Sequence, residues 1–287
     1  MNRLHTMIST RASRWLALPI TMALMSVTTA AQDVQEVTKR WGLNPPASSY
    51  GHRFDDLFAI TTALVSVSFL IVLIMLLVPV FRDRAKPGKK AHFDAGSSLH
   101  DKRFTAIVSL IVFIVLDASV LVIAMEDLRD GFWAIPQSED SEAEPYLVEV
   151  LAQQWAWNFR ATGPDGEFDT ADDILSLNRL TVPKDRPVVL NMTSKDVIHS
   201  LFLPDMRFKR DVNPGAINAG WFEPIVAGDF AILCAELCGF AHYQMHGMIH
   251  VLEQDDFNLW EQDAAALALA VFDEDDTEAH WAWAWQE

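Results

Sequence analysis

The sequence predicts a membrane protein in which an N-terminal hairpin of two spanning helices carries an all-β sandwich or barrel. Three observations predict it. Residues 57–81 are apolar and uncharged, and residues 104–125 form a second apolar run broken by one charge, Asp117; about 20 such residues cross a bilayer. Beyond residue 145 the pattern changes to short segments rich in β-branched and aromatic residues, bounded by Pro, Gly, Asn or Asp.

The first 31 residues read as a leader. Arg3, Arg11 and Arg14 precede a short apolar run over 15–27, and the small residues Thr28-Thr29-Ala30-Ala31 follow. This is the pattern of a cleaved signal peptide, and the run is too short to span. A short outer segment is expected over 32–56, then the first spanning helix over 57–81. The loop over 82–103 holds seven Lys or Arg against three Asp, so the positive-inside rule places it in the cytoplasm. The second spanning helix, over 104–125, returns the chain to the outer side, which is the periplasmic side of a bacterial inner membrane. A carboxylate within a spanning helix is costly and faces a partner or water. For Asp117 a structural hydrogen bond to a neighbouring helix is the plainer reading, and a proton relay the other.

An acidic linker over 126–145 leads to the β domain. Tyr146-Leu-Val-Glu-Val-Leu, Leu180-Thr-Val, Pro187-Val-Val-Leu-Asn-Met-Thr, Phe230-Ala-Ile-Leu and Gly247-Met-Ile-His-Val-Leu read as strands within 146–255. Residues 256–287 read as a terminal helix followed by an acidic tail that closes on His280-Trp-Ala-Trp-Ala-Trp. The turn Gly163-Pro-Asp-Gly-Glu-Phe-Asp-Thr-Ala-Asp-Asp gathers carboxylates without EF-hand spacing and reads as an exposed acidic loop rather than a calcium site.

Charge is unevenly spread. The chain carries a net −17, and residues 126–287 hold 31 acidic against 9 basic residues, about −22. An acidic outer domain argues against nucleic acid and for a basic protein partner.

The two cysteines sit in Cys234-Ala-Glu-Leu-Cys238-Gly-Phe-Ala-His242-Tyr-Gln-Met245. A disulfide accounts for the cysteines and leaves the His and Met spacings as coincidence. Zinc fits poorly, because Met is a weak zinc ligand and the spacing differs from the usual zinc patterns. Thiolate, imidazole and thioether together suit copper. A single blue copper needs one cysteine; a second, four residues on, lets two thiolates bridge two metal ions. His199, in Asp196-Val-Ile-His-Ser, is the candidate for the further nitrogen ligand.

These residues resemble the binuclear CuA motif of cytochrome c oxidase subunit II. The resemblance covers most of the chain: the helix pair, Gln154-Trp155-Ala-Trp157, Lys209-Arg-Asp211-Val-Asn-Pro-Gly and the copper loop. It implies a cupredoxin-like sandwich holding two copper ions through His199, Cys234, Cys238, His242, Met245 and the backbone carbonyl of Glu236. The Glu236 side chain would reach a magnesium ion shared with subunit I. Trp155 matches the family's electron-entry tryptophan, although Trp155 and Trp157 also alternate as packing residues of one strand face would. The implied partners are subunit I, the other oxidase subunits, membrane lipid and a basic cytochrome c, with oxygen reduced in subunit I.

The chain departs from the family pattern in two places. At the cytoplasmic start of the second helix, where the family often has a glutamate, the nearest acid is Asp101. His246 replaces a common proline after Met245; His246 and His250 read as strand residues rather than ligands. No Cys-x-x-Cys-His occurs, so no covalent haem is expected. A quinol oxidase subunit of the same build would lack the copper ligands. Nitrous-oxide reductase shares the loop but adds a large catalytic propeller. A copper chaperone would not need two spanning helices.

Overall fold

The computed structural model describes residues 44–88, 90, 95–137 and 144–273. The leader expected over 1–31 and the tryptophan-rich tail lie outside the described residues. The chain divides into two compact units, residues 55–126 and residues 44–54 with 127 onward, each described by itself.

Residues 55–126 hold the greater part of two helices, each long and apolar enough to cross a membrane: α1 (Gly51–Arg82) and α2 (Leu99–Phe132). At 1.5 Å per residue the 32 residues of α1 extend about 48 Å, against about 30 Å of hydrocarbon. Its middle is apolar all round, with Phe69, Leu70, Ile74, Met75 and Leu76 exposed. Such a surface is stable only against lipid or other helices. Ser98 caps α2 by accepting the amide of Asp101 at 3.1 Å. Two wide π-helical turns interrupt α2, over Phe113–Ala118 and Leu128–Phe132. Asp117 lies in the first of them and is exposed. Ser119 bonds back to the carbonyl of Leu116 at 3.1 Å, one of the local adjustments that satisfy carbonyls where the helical ladder changes pitch.

The second unit is a β-sandwich. Its strands are β1 (Tyr146–Gln153), β2 (Ala156–Ala161), β3 (Ile174–Leu177), β4 (Arg179–Pro183), β5 (Val188–Ser194), β6 (His199–Leu203), β7 (Phe208–Val212), β8 (Asn218–Phe222), β9 (Gly228–Cys234) and β10 (His246–Leu252). One sheet runs β3-β2-β1-β5-β8 and the other β4-β10-β9-β6-β7. The β1–β5 and β4–β10 pairs are parallel, and the other pairs are antiparallel. Val148, Val150, Trp157, Phe159, Leu190 and Met192 of the first sheet are buried with Leu201, Leu203, Ile232, Ile249 and Val251 of the second. α3 (Gln254–Val271) closes one end, with Phe257 buried edge-on against Tyr146 at 5.1 Å.

The acidic turn after β2 is more than a solvated loop. Arg160 is buried and pairs with buried Glu149, with Asp169 at 2.7 Å and with Asp173 at 3.5 Å. A buried guanidinium needs such partners to offset lost hydration. Burial raises Asp173 to about 6, although Arg160 and the Asp169 amide pull it down.

Residues 44–54 belong to this unit, although two membrane-length helices separate them from it in sequence. Ala47 and Ser48 are buried. The Ala47 amide donates to the Asp205 carbonyl at 2.7 Å, the Ser49 amide to Glu223 at 2.9 Å, and the Ile225 amide to the Ala47 carbonyl at 2.8 Å. The Ser48 hydroxyl donates to the Met206 carbonyl at 2.6 Å. Tyr50 stacks edge-on against Trp221 at 5.3 Å and donates its hydroxyl to the Trp221 carbonyl at 3.0 Å. These bonds make a strap laid across the sandwich just before α1 begins. Tyr50→Phe, which removes one hydrogen bond, is expected to cost the outer domain about 1 kcal/mol. Tyr50→Ala is expected to cost about 2–4 kcal/mol. Denaturant unfolding of the full-length chain, followed by near-UV circular dichroism, checks both; an unchanged midpoint in Tyr50→Ala would remove the strap from the domain.

Candidate metal centre

The site forms where two neighbouring strands of one sheet end together. β6 and β9 pair antiparallel with Leu201 opposite Cys234, which sets His199 at the start of β6 beside the end of β9. The loop from Cys234 to Met245 then returns into β10, which pairs β9 with His246 opposite Leu233. The loop is pinned at its base: the Ala235 amide donates to the Ser200 carbonyl at 2.9 Å and the Cys234 amide to the Met245 carbonyl at 3.2 Å. A short 3-10 turn, His242–Gln244, folds its far side inward.

Five of the expected side chains converge. Both cysteines are free, with their sulfurs 3.8 Å apart. The Cys238 sulfur lies 3.7 Å from Met245 Sδ and 3.5 Å from His242 Nδ1, and His199 Nδ1 lies 3.2 Å from Met245 Sδ. Among the described residues, the His199, Cys234 and Cys238 donor atoms make the one group of three His, Cys, Asp or Glu side chains placed to hold a metal, all within 4.8 Å of one another. His242 approaches through Cys238, from the other side. The Glu236 carbonyl lies 3.2 Å from the Cys234 sulfur, while its side chain is exposed. His199 is fully buried, and Cys238 and Met245 nearly so. Soft sulfur and imidazole donors gathered largely out of water fit copper and leave a hard cation without its oxygen ligands.

The electrostatics favour a bound cation. Burial raises the Cys234 thiol, but the imidazole of His199 and amide donors at the loop base outweigh it and bring it down to about 6. Burial and the neighbouring Cys234 thiolate push Cys238 up to about 12. Two thiolates side by side repel, so the second proton leaves only when positive charge arrives.

Trp155 occupies the tight turn between β1 and β2 and is 38% exposed, while Trp157 is fully buried. The two tryptophans therefore do not share one packed face. Trp157 backs the His199 ring edge-on at 6.1 Å. The Trp155 indole N–H donates to the Cys238 carbonyl at 3.2 Å, and the Gln154 side-chain amide donates to the same oxygen at 2.8 Å. Gly239 makes room for both. Its φ is +122°, and a β-carbon there would lie 2.8 Å from Gln154 Nε2 and 3.2 Å from the Trp155 ring. His246 and His250 point elsewhere from β10: His246 is exposed, and His250 meets Asp229 at 2.5 Å.

Two contributors carry no chemical signal of their own in the sequence: Gly239, and Gln154 as a second donor to Cys238. Asp196 could have been found, since a carboxylate three residues before a ligand histidine is within reach of its ring.

In the metal-free full-length chain, the rate at which iodoacetamide modifies Cys234 is expected to rise with pH through a midpoint near pH 6, while at neutral pH Cys238 stays largely unmodified. Peptide mapping after a short pulse checks it; equal labelling of both cysteines contradicts this ordering.

The family model described as cytochrome C oxidase subunit II, periplasmic domain, matches residues 147–252. The chain is 31% identical over 250 residues to the alternative cytochrome c oxidase subunit 2 of Bradyrhizobium diazoefficiens, covering 79% of this chain and 86% of that one. It is 29% identical over 237 residues to the probable cytochrome c oxidase subunit 2 of Rickettsia bellii, covering 76% of this chain and 82% of that one. The crystal structure of the periplasmic domain of subunit II of cytochrome oxidase from Bradyrhizobium japonicum overlaps with a TM-score of 0.39 at 26% identity, covering 46% of this chain and 98% of that one.

Proposed function

The chain belongs to the cytochrome c oxidase subunit II family, and on that premise we propose that it is the electron-receiving subunit of a haem–copper oxidase. It takes single electrons from a basic cytochrome c and delivers them towards haem in subunit I, where oxygen is reduced. The observation that carries this reading is the convergence of Cys234, Cys238, His199 and Met245 in one buried cluster.

His199, Cys234, Cys238, His242, Met245 and the Glu236 carbonyl are the residues that would hold two copper ions. Held by these residues, two copper ions would supply a one-electron store. The chain's own residues do the rest. The two sheets hold the ligands on rigid strand ends, which keeps the site assembled between turnovers. Burial of Cys238, Met245 and His199 excludes water. The half-exposed indole of Trp155 is one hydrogen bond from the Cys238 carbonyl, a short route from the surface to a ligand. The exposed Glu236 side chain is free to reach a magnesium ion shared with subunit I. α1 and α2 anchor the subunit in a bacterial inner membrane as a two-span protein, with the outer domain on the periplasmic side. There the acidic outer domain steers a basic donor, raising the encounter rate more than the affinity.

Two measurements on the assembled oxidase test this reading. The second-order rate of reduction by cytochrome c is expected to fall on the order of tenfold or more between low salt and about 0.5 M salt. Trp155→Phe keeps an aromatic ring but exchanges the indole for a smaller phenyl and loses the N–H to Cys238; it is expected to slow electron entry sharply with copper content unchanged. A flat salt response removes electrostatic docking, and a wild-type rate in Trp155→Phe removes the indole hydrogen bond from the path.

A further inference from the structure

Asp196 lies at the entrance to β6 and joins two parts of the site that the strands alone leave separate. Its Oδ1 is 2.9 Å from His199 Nε2 and also accepts the Val197 amide at 2.6 Å. Its Oδ2 accepts the Gln154 amide at 2.7 Å, across 42 residues of sequence. Gln154 opens the turn that carries Trp155, and the side chains of both donate to the Cys238 carbonyl. The bonds therefore run from His199 through Asp196 to the Trp155 turn, and from that turn to Cys238. Two of the proposed ligands are tied together through the residue at which electrons enter.

The chemistry of each bond is specific. An imidazole that ligates through Nδ1 carries its proton on Nε2, and a carboxylate on that nitrogen fixes both tautomer and ring angle. His199 Nδ1 faces Met245 Sδ and its Nε2 faces Asp196, so the ring is already held with the ligating nitrogen inward. The second oxygen holds the backbone at the Trp155 turn, where the indole has only one hydrogen bond to Cys238 to keep it in line. A plainer role exists, since Asp196 and Ser194 also close the local turn before β6.

We infer that Asp196 is a positioning residue that orients the His199 ligand and clamps the Trp155 turn to the metal centre. The inference rests on the copper reading above. In Asp196→Asn the amide keeps one acceptor oxygen for the local turn but cannot accept two N–H groups from opposite sides, and it lacks the charge. A role confined to the turn therefore survives that change, whereas the clamp does not.

The test uses the full-length chain in detergent, loaded with copper, as wild type, Asp196→Asn and Asp196→Ala. Copper affinity is read by competition with a chelator, and the His199 Nε2 proton as an exchangeable, hyperfine-shifted proton resonance. The expected result is a resonance that persists in wild type, exchanges faster in Asp196→Asn and exchanges away in Asp196→Ala, with copper affinity lowered in both and falling about 10–100-fold in Asp196→Ala while circular dichroism stays native. If Asp196→Ala does not fold, Asp196→Asn decides alone. Variants that keep the wild-type resonance and bind copper within about twofold of wild type overturn the inference and leave the copper reading standing. A wild type that takes up no copper pair overturns both.

Discussion

Two sulfurs held 3.8 Å apart against a buried imidazole are the constraint that the rest of the outer domain serves. Left to itself such a pair is unfavourable: burial opposes ionisation of either thiol, and the first thiolate raises the second. The fold pays for that cost with the β6–β9 register, the amides at the loop base, and the α-carbon of Gly239 in a conformation that lets Gln154 and Trp155 close on Cys238. None of these contacts is large. Together they hold these donors near one point, so the cluster is assembled by the fold itself.

The same logic explains why the site sits on strand ends rather than on a free loop. Cys234 ends β9, His199 begins β6 and Met245 immediately precedes β10. Strands buried in a two-sheet core move little, and the loop between them spans only the residues that carry His242 and the Glu236 carbonyl. Behind the ligands Trp157 fills the core against the His199 ring. At the domain's margin, the strap over residues 44–50 lies across the sandwich, and Arg210 makes a cation–π contact with Phe132 at 4.4 Å.

Much of this was legible in the sequence. The apolar runs, the strands rich in Val, Ile and Leu, the terminal helix and the Cys-x3-Cys-x3-His-x2-Met spacing are local patterns, and local patterns survive folding. What stayed hidden was non-local or carried by the backbone. β7 is short and carries three charged residues in a row, and β8 runs Asn-Ala-Gly-Trp-Phe, so alternation is weak in both. The strap has no periodicity, and its Ser48 and Tyr50 bonds reach partners 158 and 171 residues away in sequence. The π-helical turns of α2, one of them around Asp117, leave no signature that composition reveals. Arg160 looks like any arginine until the acidic turn after β2 is seen to close over it. Asp196 stood in plain view within the His199 segment, yet its second bond, to Gln154, depends on the pairing of distant strands.

The most direct measurement is electron paramagnetic resonance on the copper-loaded full-length chain, with total copper counted alongside. Two coppers per chain, with hyperfine splitting from two equivalent nuclei, is the result this account predicts for a pair sharing Cys234 and Cys238. A single-copper spectrum, or a chain that binds no copper, would contradict it.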